Sequence, residues 1–200
     1  MTPIPDIYLA SASPRRRELL SQIGVNFEIL AVAVEECRAP DETPVAYVQR
    51  VALAKAQAGW AILAARAPRP VLGADTEVVI DGEVLGKPQD RDHGLAMLAR
   101  LSGRTHEVLS AVAVVDGTRV LTRLSRSAVS FRALSPEDCA AYWASGEPLG
   151  KAGGYAIQGR GAMFVSELRG SYSGVMGLPL CETGQLLGEL GIDLCGARGQ

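Results

Sequence analysis

Near its beginning the chain reads DIYLASASPRRRELL (residues 6–20), and this stretch predicts a strand, a tight turn and a helix in succession. Ser13 is the predicted N-cap of that helix, with Pro14 at its first position. Three arginines follow at a helix end that carries partial positive charge, where acidic residues are usual. We therefore expect residues 11–17 to form a phosphate cradle from backbone N–H groups, guanidinium groups and serine hydroxyls, including that of Ser11.

A second Ser-Pro helix start, at residues 135–138, carries the expected acids Glu137 and Asp138. The contrast between the two helix starts supports an anion site at the first one. The alternative is a solvated basic turn, because a short Ser-Pro-Arg-Arg motif also occurs without function.

Composition indicates one globular domain over residues 1–200, either compact or divided into two lobes. The chain has 200 residues, of which 48% are hydrophobic and 21% charged, with a formal net charge of −2. Such a balance gives no general attraction to nucleic acid polymers or to acidic membranes. Residues 1–6 carry neither the basic nor the apolar region of a secretion signal, and no stretch is apolar enough to span a membrane, so we expect a cytoplasmic protein.

The four cysteines, Cys37, Cys139, Cys181 and Cys195, are widely spaced and form no Cys-x-x-Cys pair. We expect neither a zinc site nor a disulfide framework.

The remaining chain alternates predicted strands and helices, which favours an α/β fold with some antiparallel pairing. Asp81-Gly82 is the two-residue signal for a type I′ hairpin turn. Predicted strands cover residues 27–32, 71–80, 83–85, 106–115, 119–131 and 162–168. Predicted helices cover residues 43–66, 91–101 and 135–146, and a last helix begins near Pro179.

Two charged residues fall where burial is predicted. Lys55 lies seven residues after Val48 and three after Ala52, on the apolar stripe of its helix. Asp75 lies within the apolar strand of residues 71–80, where a carboxylate needs a cation, a metal ion or hydrogen bonds. The alternatives are a lysine that reaches the surface and an aspartate that caps a turn.

Two loops add polar groups. Lys87 lies between Gly86 and Pro88, just after the hairpin that carries Asp75. Residues 150–161 form a glycine-rich segment, of the kind that lets backbone approach a ligand closely, and Gln158 in it could pair with a nucleotide base. The alternative for this segment is a plain surface turn.

Taken together, these groups suit a polyphosphate held with Mg²⁺ or Mn²⁺, because Mg²⁺ typically takes one or two carboxylates along with phosphates and water. Glu35 and Glu36 are candidates for a second acid beside Asp75. No Ser/His/Asp or Cys/His set is evident, and His106, in a predicted strand, is expected to be a satisfied core residue. Metal-assisted attack of water on phosphorus is the chemistry that fits best.

Five motifs resemble, in order, those of the Maf family of nucleoside triphosphate pyrophosphatases. They are LASASPRR with the following ELL (residues 9–20), GADT (73–76), GKP (86–88), LSGRTHEV (101–108) and KAGGYAIQG (151–159). The resemblance implies a Maf/inosine-triphosphatase-like fold, with an elongated twisted mixed sheet, flanking helices and a cleft between two lobes. It also implies hydrolysis between the α and β phosphates with a divalent metal ion, often in a homodimer.

Carried over to this chain, the resemblance implies a role for each matching residue. Asp75 matches the proton acceptor, and Glu36 matches an acidic position tied to metal or water. The residues that match phosphate-facing positions are Arg16, Lys55 and Lys87. Those that match base-selecting positions are Arg15, Thr76 and Gln158.

The form of the fifth motif, with Tyr155 and Gln158, resembles the subgroup that acts on dTTP and UTP. Three alternatives stay open at this point. The chain could prefer 7-methyl-GTP, it could prefer inosine or xanthosine triphosphates, or it could be a nucleotide-binding regulator of septum formation and cell division that does not turn nucleotide over.

Overall fold

The computed structural model describes residues 4–63, 69–192 and 194. Its strands are β1 (Ile7–Leu9), β2 (Phe27–Ile29), β3 (Val71–Ile80), β4 (Glu83–Leu85), β5 (Thr105–Asp116), β6 (Arg119–Phe131) and β7 (Val165–Arg169). Its α-helices are α1 (Pro14–Gln22), α2 (Pro44–Ile62), α3 (Arg91–Leu101), α4 (Pro136–Ala144), α5 (Tyr172–Met176) and α6 (Leu180–Glu189). Two short 3₁₀ helices cover Ala152–Gly154 and Arg160–Phe164.

The seven strands form one mixed sheet in the order β2-β1-β3-β5-β6-β7, with β4 also paired to β3. Strand β1 runs parallel to β2 and β3, and the other pairs are antiparallel. This arrangement confirms the predicted α/β class with antiparallel pairing. The long central strands β3, β5 and β6 correspond to the predicted strands of residues 71–80, 106–115 and 119–131.

A gap in pairing along one edge of β3 positions the site. Strand β5 pairs with the other edge of β3 from Val71 to Val79. On the gap side, β1 pairs only with Val71 and Leu72, and β4 pairs only with residues 78–80. Within the described residues, positions 73–77 therefore have no strand partner on that edge, and the sheet opens there.

Helix α2 covers one face of the sheet and comes unusually close to β3. Val48, Ala52 and Ala56 pack there against Leu109 and other β5 residues. Gly73 makes the approach possible, since a Cβ atom at this position would lie 2.4 Å from the Ala52 carbonyl oxygen.

The opposite face carries two separate apolar clusters. Around Leu72 and Val112, helices α1 and α6 contribute residues such as Leu20 and Leu186. Around Val78, the second cluster includes buried residues of α3, α4 and β6, such as Leu98, Tyr142 and Val129. Because side chains alternate along a strand, residues 72, 74, 76 and 78 of β3 face these clusters, and residues 73, 75 and 77 face α2.

Most predicted elements are confirmed within one or two residues, but two strand boundaries differ and one α-helix was not predicted. Strand β2 ends at Ile29, short of the predicted Val32. Strand β7 begins at Val165 and not at Ala162, because residues 160–164 form a 3₁₀ helix. Helix α5 was not predicted. Helix α2 ends at Ile62. Arg66, the predicted end of this helix, lies outside the described residues, and so does Cys195. Among the helices of the described part, none is long and apolar enough to cross a bilayer.

Candidate active site

The gap beside residues 73–77 opens into a cavity of about 760 Å³. All nine residues singled out by sequence as site residues line it: Ser11, Arg15, Arg16, Glu36, Lys55, Asp75, Thr76, Lys87 and Gln158. They come from six separate parts of the chain. Glu35, the other candidate for the second acid, does not line the cavity.

The centre of the cavity is an ion-pair network on the α2 side of β3. Lys55 Nζ lies 2.8 Å from Asp75 Oδ1 and 2.8 Å from Glu36 Oε1. Lys87 Nζ lies 3.1 Å from Glu36 Oε2. The Lys55 and Asp75 side chains are only 11% and 8% exposed, so Lys55 is the cation that the sequence required for a buried Asp75.

Asp75 keeps one oxygen free. Its Oδ1 accepts a hydrogen bond from Lys55, whereas its Oδ2 is buried and has no hydrogen-bond partner among the described residues. A buried acceptor without a donor is costly in a folded protein, which points to a ligand, a metal ion or a water molecule at this atom.

Glu36 is held by backbone as well as by charge. The Tyr47 hydroxyl donates to the Glu36 carbonyl oxygen over 2.7 Å, which ties the loop after β2 to helix α2. Partial burial alone would raise the pKa of the Glu36 carboxyl, but the ion pairs with Lys55 and Lys87 outweigh it and lower the pKa to about 2. Glu36 is therefore a carboxylate at any physiological pH.

Glu77 is a cavity residue that sequence reasoning missed. It lies two residues after Asp75 on the same face of β3, lines the cavity, and has a buried Oε2 without a hydrogen-bond partner among the described residues. Burial, followed by the charges of Asp75 and Glu36, raises the pKa of Glu77 to about 8. The spacing of two residues from Asp75 was the signal that could have found it.

The predicted phosphate cradle at the start of α1 differs in one detail. Ser13 occupies the N-cap position, but its side chain caps nothing; instead Ser11 Oγ accepts a bond from the Ser13 N–H over 3.3 Å. The first turn of α1 contains no acidic residue. At the comparison helix α4, Ser135 and Asp138 form the full capping box that the sequence indicates.

Of the three arginines in the predicted cradle, Arg17 does not line the cavity, and Arg15 and Arg16 line it but are held differently. Arg16 Nε donates to the Gly177 carbonyl oxygen over 2.8 Å, and its Nη1 lies 3.3 Å from Ser11 Oγ. Arg15 Nε is buried and has no hydrogen-bond partner among the described residues. Burial lowers the pKa of both guanidinium groups, though an arginine stays protonated at neutral pH.

Thr76 lines the cavity from the opposite face of β3 to Asp75. Its Oγ1 lies 3.0 Å from Ser110 Oγ, on the paired residue of β5. The Ser110 hydroxyl in turn donates to the Gly174 carbonyl oxygen over 2.6 Å. This polar pair separates the two apolar clusters of that face and connects the sheet to helix α5.

Tyr155 also lines the cavity, and its hydroxyl group contacts His106. Tyr155 Oη lies 2.8 Å from His106 Nε2, and both rings pack edge-on against Phe131. His106 was expected to be a satisfied core residue, and that is half right, because its Nδ1 is buried without a partner among the described residues. Burial lowers the pKa of His106 to about 4, so the ring is neutral at pH 7.

The donor set suits a hard divalent cation. Asp75 Oδ2 and Glu77 Oε2 are buried oxygens that have no hydrogen-bond partner in the described part of the chain, and Glu36, which lines the same cavity, is ionised. Within residues 4–63, 69–192 and 194, however, no three His, Cys, Asp or Glu side chains converge as a complete metal site. This pattern matches Mg²⁺ better than zinc, because Mg²⁺ is usually held by one or two carboxylates together with substrate phosphates and water.

Comparison with known proteins gives the family. Residues 6–190 match the family model described as "Maf-like protein", which takes in all five motifs and every residue lining the cavity. The chain belongs to the Maf family. A Maf relative from Alkalilimnicola ehrlichii, named dTTP/UTP pyrophosphatase, is 58% identical over 94% of this chain and 95% of its own length.

A second relative with the same name, from Saccharophagus degradans, is 57% identical over 91% of this chain and 87% of its own length. Among solved structures, the Staphylococcus aureus Ham1 protein shares 13% identity with this Maf chain at a TM-score of 0.45, over 62% of this chain and 71% of that one.

Proposed function

We propose that this Maf protein hydrolyses dTTP and UTP to the nucleoside monophosphate and pyrophosphate. The observation that carries the proposal is Asp75, a buried carboxylate at the centre of a cavity rich in cations. Its Oδ1 is fixed by Lys55, and its Oδ2 has no hydrogen-bond partner among the described residues. Relatives at 57–58% identity that carry the name dTTP/UTP pyrophosphatase support the choice of substrate.

The proposed reaction is a displacement at the α-phosphorus. A water oxygen bonds to the phosphorus, the bond from phosphorus to the α–β bridging oxygen breaks, and that electron pair leaves with pyrophosphate. Asp75 Oδ2 is the acceptor for the proton of the water, since Oδ1 already accepts from Lys55. Arg16, Lys55, Lys87 and the Ser11 hydroxyl bind phosphate oxygens and offset their charge.

A bound Mg²⁺ or Mn²⁺ would supply Lewis-acid polarisation and a more acidic water, which a carboxylate base at neutral pH needs. Asp75 and Glu36 are the residues proposed to hold it. Arg15, Thr76 and Gln158, which all line the cavity, are proposed to select the base.

The test is pyrophosphate release from dTTP, UTP, CTP, 7-methyl-GTP and ITP with Mg²⁺, with Mn²⁺ and with a chelator. We expect metal-dependent turnover that is highest on dTTP and UTP. Asp75→Asn should lower kcat by roughly 10²- to 10⁴-fold, the usual contribution of a general base. Asp92→Asn, the same change at a side chain that is 92% exposed, is the matched control and should leave kcat unchanged.

Two results would contradict the proposal. Turnover by a folded Asp75→Asn variant at the wild-type rate would remove Asp75 from the reaction. Tight binding of dTTP or UTP by the wild-type protein without hydrolysis under any metal condition would favour the nucleotide-binding regulator instead.

A further inference from the structure

Lysine is rare in this chain and confined to one place. Of the 20 lysine and arginine residues, three are lysines, Lys55, Lys87 and Lys151, and all three line the cavity. Lys55 and Lys87 form ion pairs with Asp75 and Glu36. Lys151 has no role in the function proposed above.

The ammonium group of Lys151 has no strong partner. No carboxylate among the described residues lies within 4.0 Å of it, and its hydrogen bond to the Leu149 carbonyl oxygen is long, at 3.5 Å. Burial, and then the charge of Arg15, lower the pKa of Lys151, and the charge of Glu147 offsets part of this shift. Lys151 and Arg15 both line the cavity, and Arg15 Nε has no hydrogen-bond partner among the described residues, so both side chains have donors available to a ligand.

The backbone under Lys151 is fixed, so the side chain starts from a defined point on the cavity wall. The Gly153 N–H donates to the Gly86 carbonyl oxygen over 3.0 Å, and the Gly154 N–H donates to the Lys151 carbonyl oxygen over 3.0 Å. Gly153 has φ of +65° and lies against Val78, where a Cβ atom would be only 2.9 Å from the valine side chain.

Lys151 is on the same glycine-rich segment as Gln158, which is proposed to contact the base. A glutamine amide carries both a donor and an acceptor, and the two exchange places when the amide turns over. Uracil and thymine present an N3–H donor beside the O4 acceptor, whereas cytosine presents an N3 acceptor beside an N4 amino donor. Gln158 can pair with either edge, so by itself it cannot separate UTP from CTP.

A side chain that only donates hydrogen bonds can discriminate between UTP and CTP. Lysine has three N–H donors and no acceptor, so it matches a carbonyl oxygen and meets an amino group donor to donor. We propose that Lys151 donates from the cavity wall to the O4 carbonyl of uracil or thymine and thereby excludes cytosine nucleotides. This inference rests on the proposed function and deepens it by naming the residue that discriminates between pyrimidines.

The experiment compares kcat/KM for UTP and CTP in the wild type, Lys151→Met, Lys151→Gln and Lys151→Arg. The wild type should prefer UTP. Loss of one hydrogen bond from a charged donor should reduce the UTP-to-CTP ratio on the order of 10- to 100-fold in Lys151→Met. Lys151→Gln should also lose the preference, because its amide can turn over, and Lys151→Arg should keep most of it.

Binding of UMP and CMP gives a readout that does not depend on turnover. Lys151→Met should weaken the binding of UMP, strengthen the binding of CMP by removing the opposed donor, and leave the binding of inorganic pyrophosphate unchanged. Arg160→Gln is the matched control, since Arg160 is an exposed cation of the same segment that does not line the cavity. This variant should keep the wild-type UTP-to-CTP ratio.

Three outcomes would overturn the inference and leave the proposed function standing. The wild type could hydrolyse UTP and CTP equally well. Lys151→Met could lower kcat/KM for UTP and CTP by the same factor and weaken pyrophosphate binding, which would make Lys151 a phosphate ligand. The UTP-to-CTP ratio could also stay at the wild-type value in a folded Lys151→Met protein. Failure of the wild type to hydrolyse any substrate would instead contradict the proposed function.

Discussion

Gly73 of β3 and Ala52 of α2 lie so close together that no side chain fits between the strand and the helix. A Cβ atom on Gly73 would lie 2.4 Å from the Ala52 carbonyl oxygen and 2.6 Å from the Ala56 nitrogen. Both are backbone atoms of a helix, so they cannot move aside as a flexible side chain would. This contact sets the distance between the strand that carries Asp75 and the helix that carries Lys55.

Gly73→Ala should therefore destabilise the protein by about 1–3 kcal/mol, the usual cost of overpacking a core, and should lower kcat by displacing Lys55 from Asp75. Urea unfolding and steady-state kinetics measure the two effects. Gly188→Ala is the control, because no atom would lie within 4 Å of the new Cβ and alanine favours the helix, so stability should rise by about 0.5–1 kcal/mol. Equal stability of the two variants would contradict the close approach of α2.

The Lys55–Asp75 pair predicts a non-additive effect on stability. Lys55→Met leaves two carboxylates, those of Asp75 and Glu36, without their shared cation, and should cost about 3–5 kcal/mol. In the double variant Lys55→Met/Asp75→Asn the buried charge is removed as well, so the loss should be smaller than in Lys55→Met alone. Urea unfolding of the wild type, both single variants and the double variant gives the coupling energy. Strict additivity would show that the pair does not act as a unit.

His106 predicts how stability changes with pH. Its pKa is about 4 in the folded protein and about 6.5 in an unfolded chain, so the unfolded state binds more protons between these values. The contribution of His106 to the free energy of unfolding is therefore fully present above pH 6.5 and is lost as the pH falls toward 4. Between pH 7 and pH 5 the loss should be about 2 kcal/mol.

Urea unfolding of the wild type and of His106→Gln at pH 7 and pH 5 checks the effect, since the variant should lose less stability on acidification. His93→Gln removes the other histidine, which lies outside the buried cluster, and should behave like the wild type. The idea fails if His106→Gln shows the same acid sensitivity as the wild type.

Gln158 should contribute to base binding without separating pyrimidines from each other. Gln158→Ala removes the amide that the base edge would contact, and kcat/KM for both UTP and CTP should fall roughly tenfold or more. The UTP-to-CTP ratio should stay close to the wild-type value because the amide fits both bases. Measurement of kcat/KM for UTP and CTP in the wild type and in Gln158→Ala tests this prediction. A large change in the UTP-to-CTP ratio would show that Gln158 discriminates between the two bases.

Local sequence signals predicted most of the fold because they have local causes. Asp81-Gly82 predicted a type I′ turn, and the structure has positive φ at both residues, 54° and 77°. The helix that begins at Ser135 was predicted from its capping residues, and the full capping box is present. By contrast, α5 and the two 3₁₀ helices depend on contacts with distant strands, such as the Ser110–Gly174 hydrogen bond, which no local pattern reveals.

The sequence predicted many of the residues that line the cavity, but it did not predict all of them or their contacts. Lys55 and Asp75 were found because a charged residue in an apolar context needs a partner. The unusual start of α1 indicated Ser11, Arg15 and Arg16, the two loops indicated Lys87 and Gln158, Glu36 was a candidate second acid, and Thr76 came from the resemblance to the Maf family. Glu77 was missed because an acidic residue in a strand usually lies on a solvated face. It faces the cavity here because β1 and β4 leave the middle of β3 unpaired on one edge, which is a property of the assembled sheet.

The confinement of lysine to the cavity has a chemical consequence. Acylation of a lysine side chain removes its positive charge, and in most proteins this change is spread over many harmless surface positions. In this chain every lysine side-chain amine lies at the cavity, and arginine supplies the remaining basic side chains. A reagent that acylates lysine would thus modify lysine side chains only at the cavity, although the reagent itself does not resemble a nucleotide. Each acyl group found on a lysine by mass spectrometry would report one modified position around the substrate.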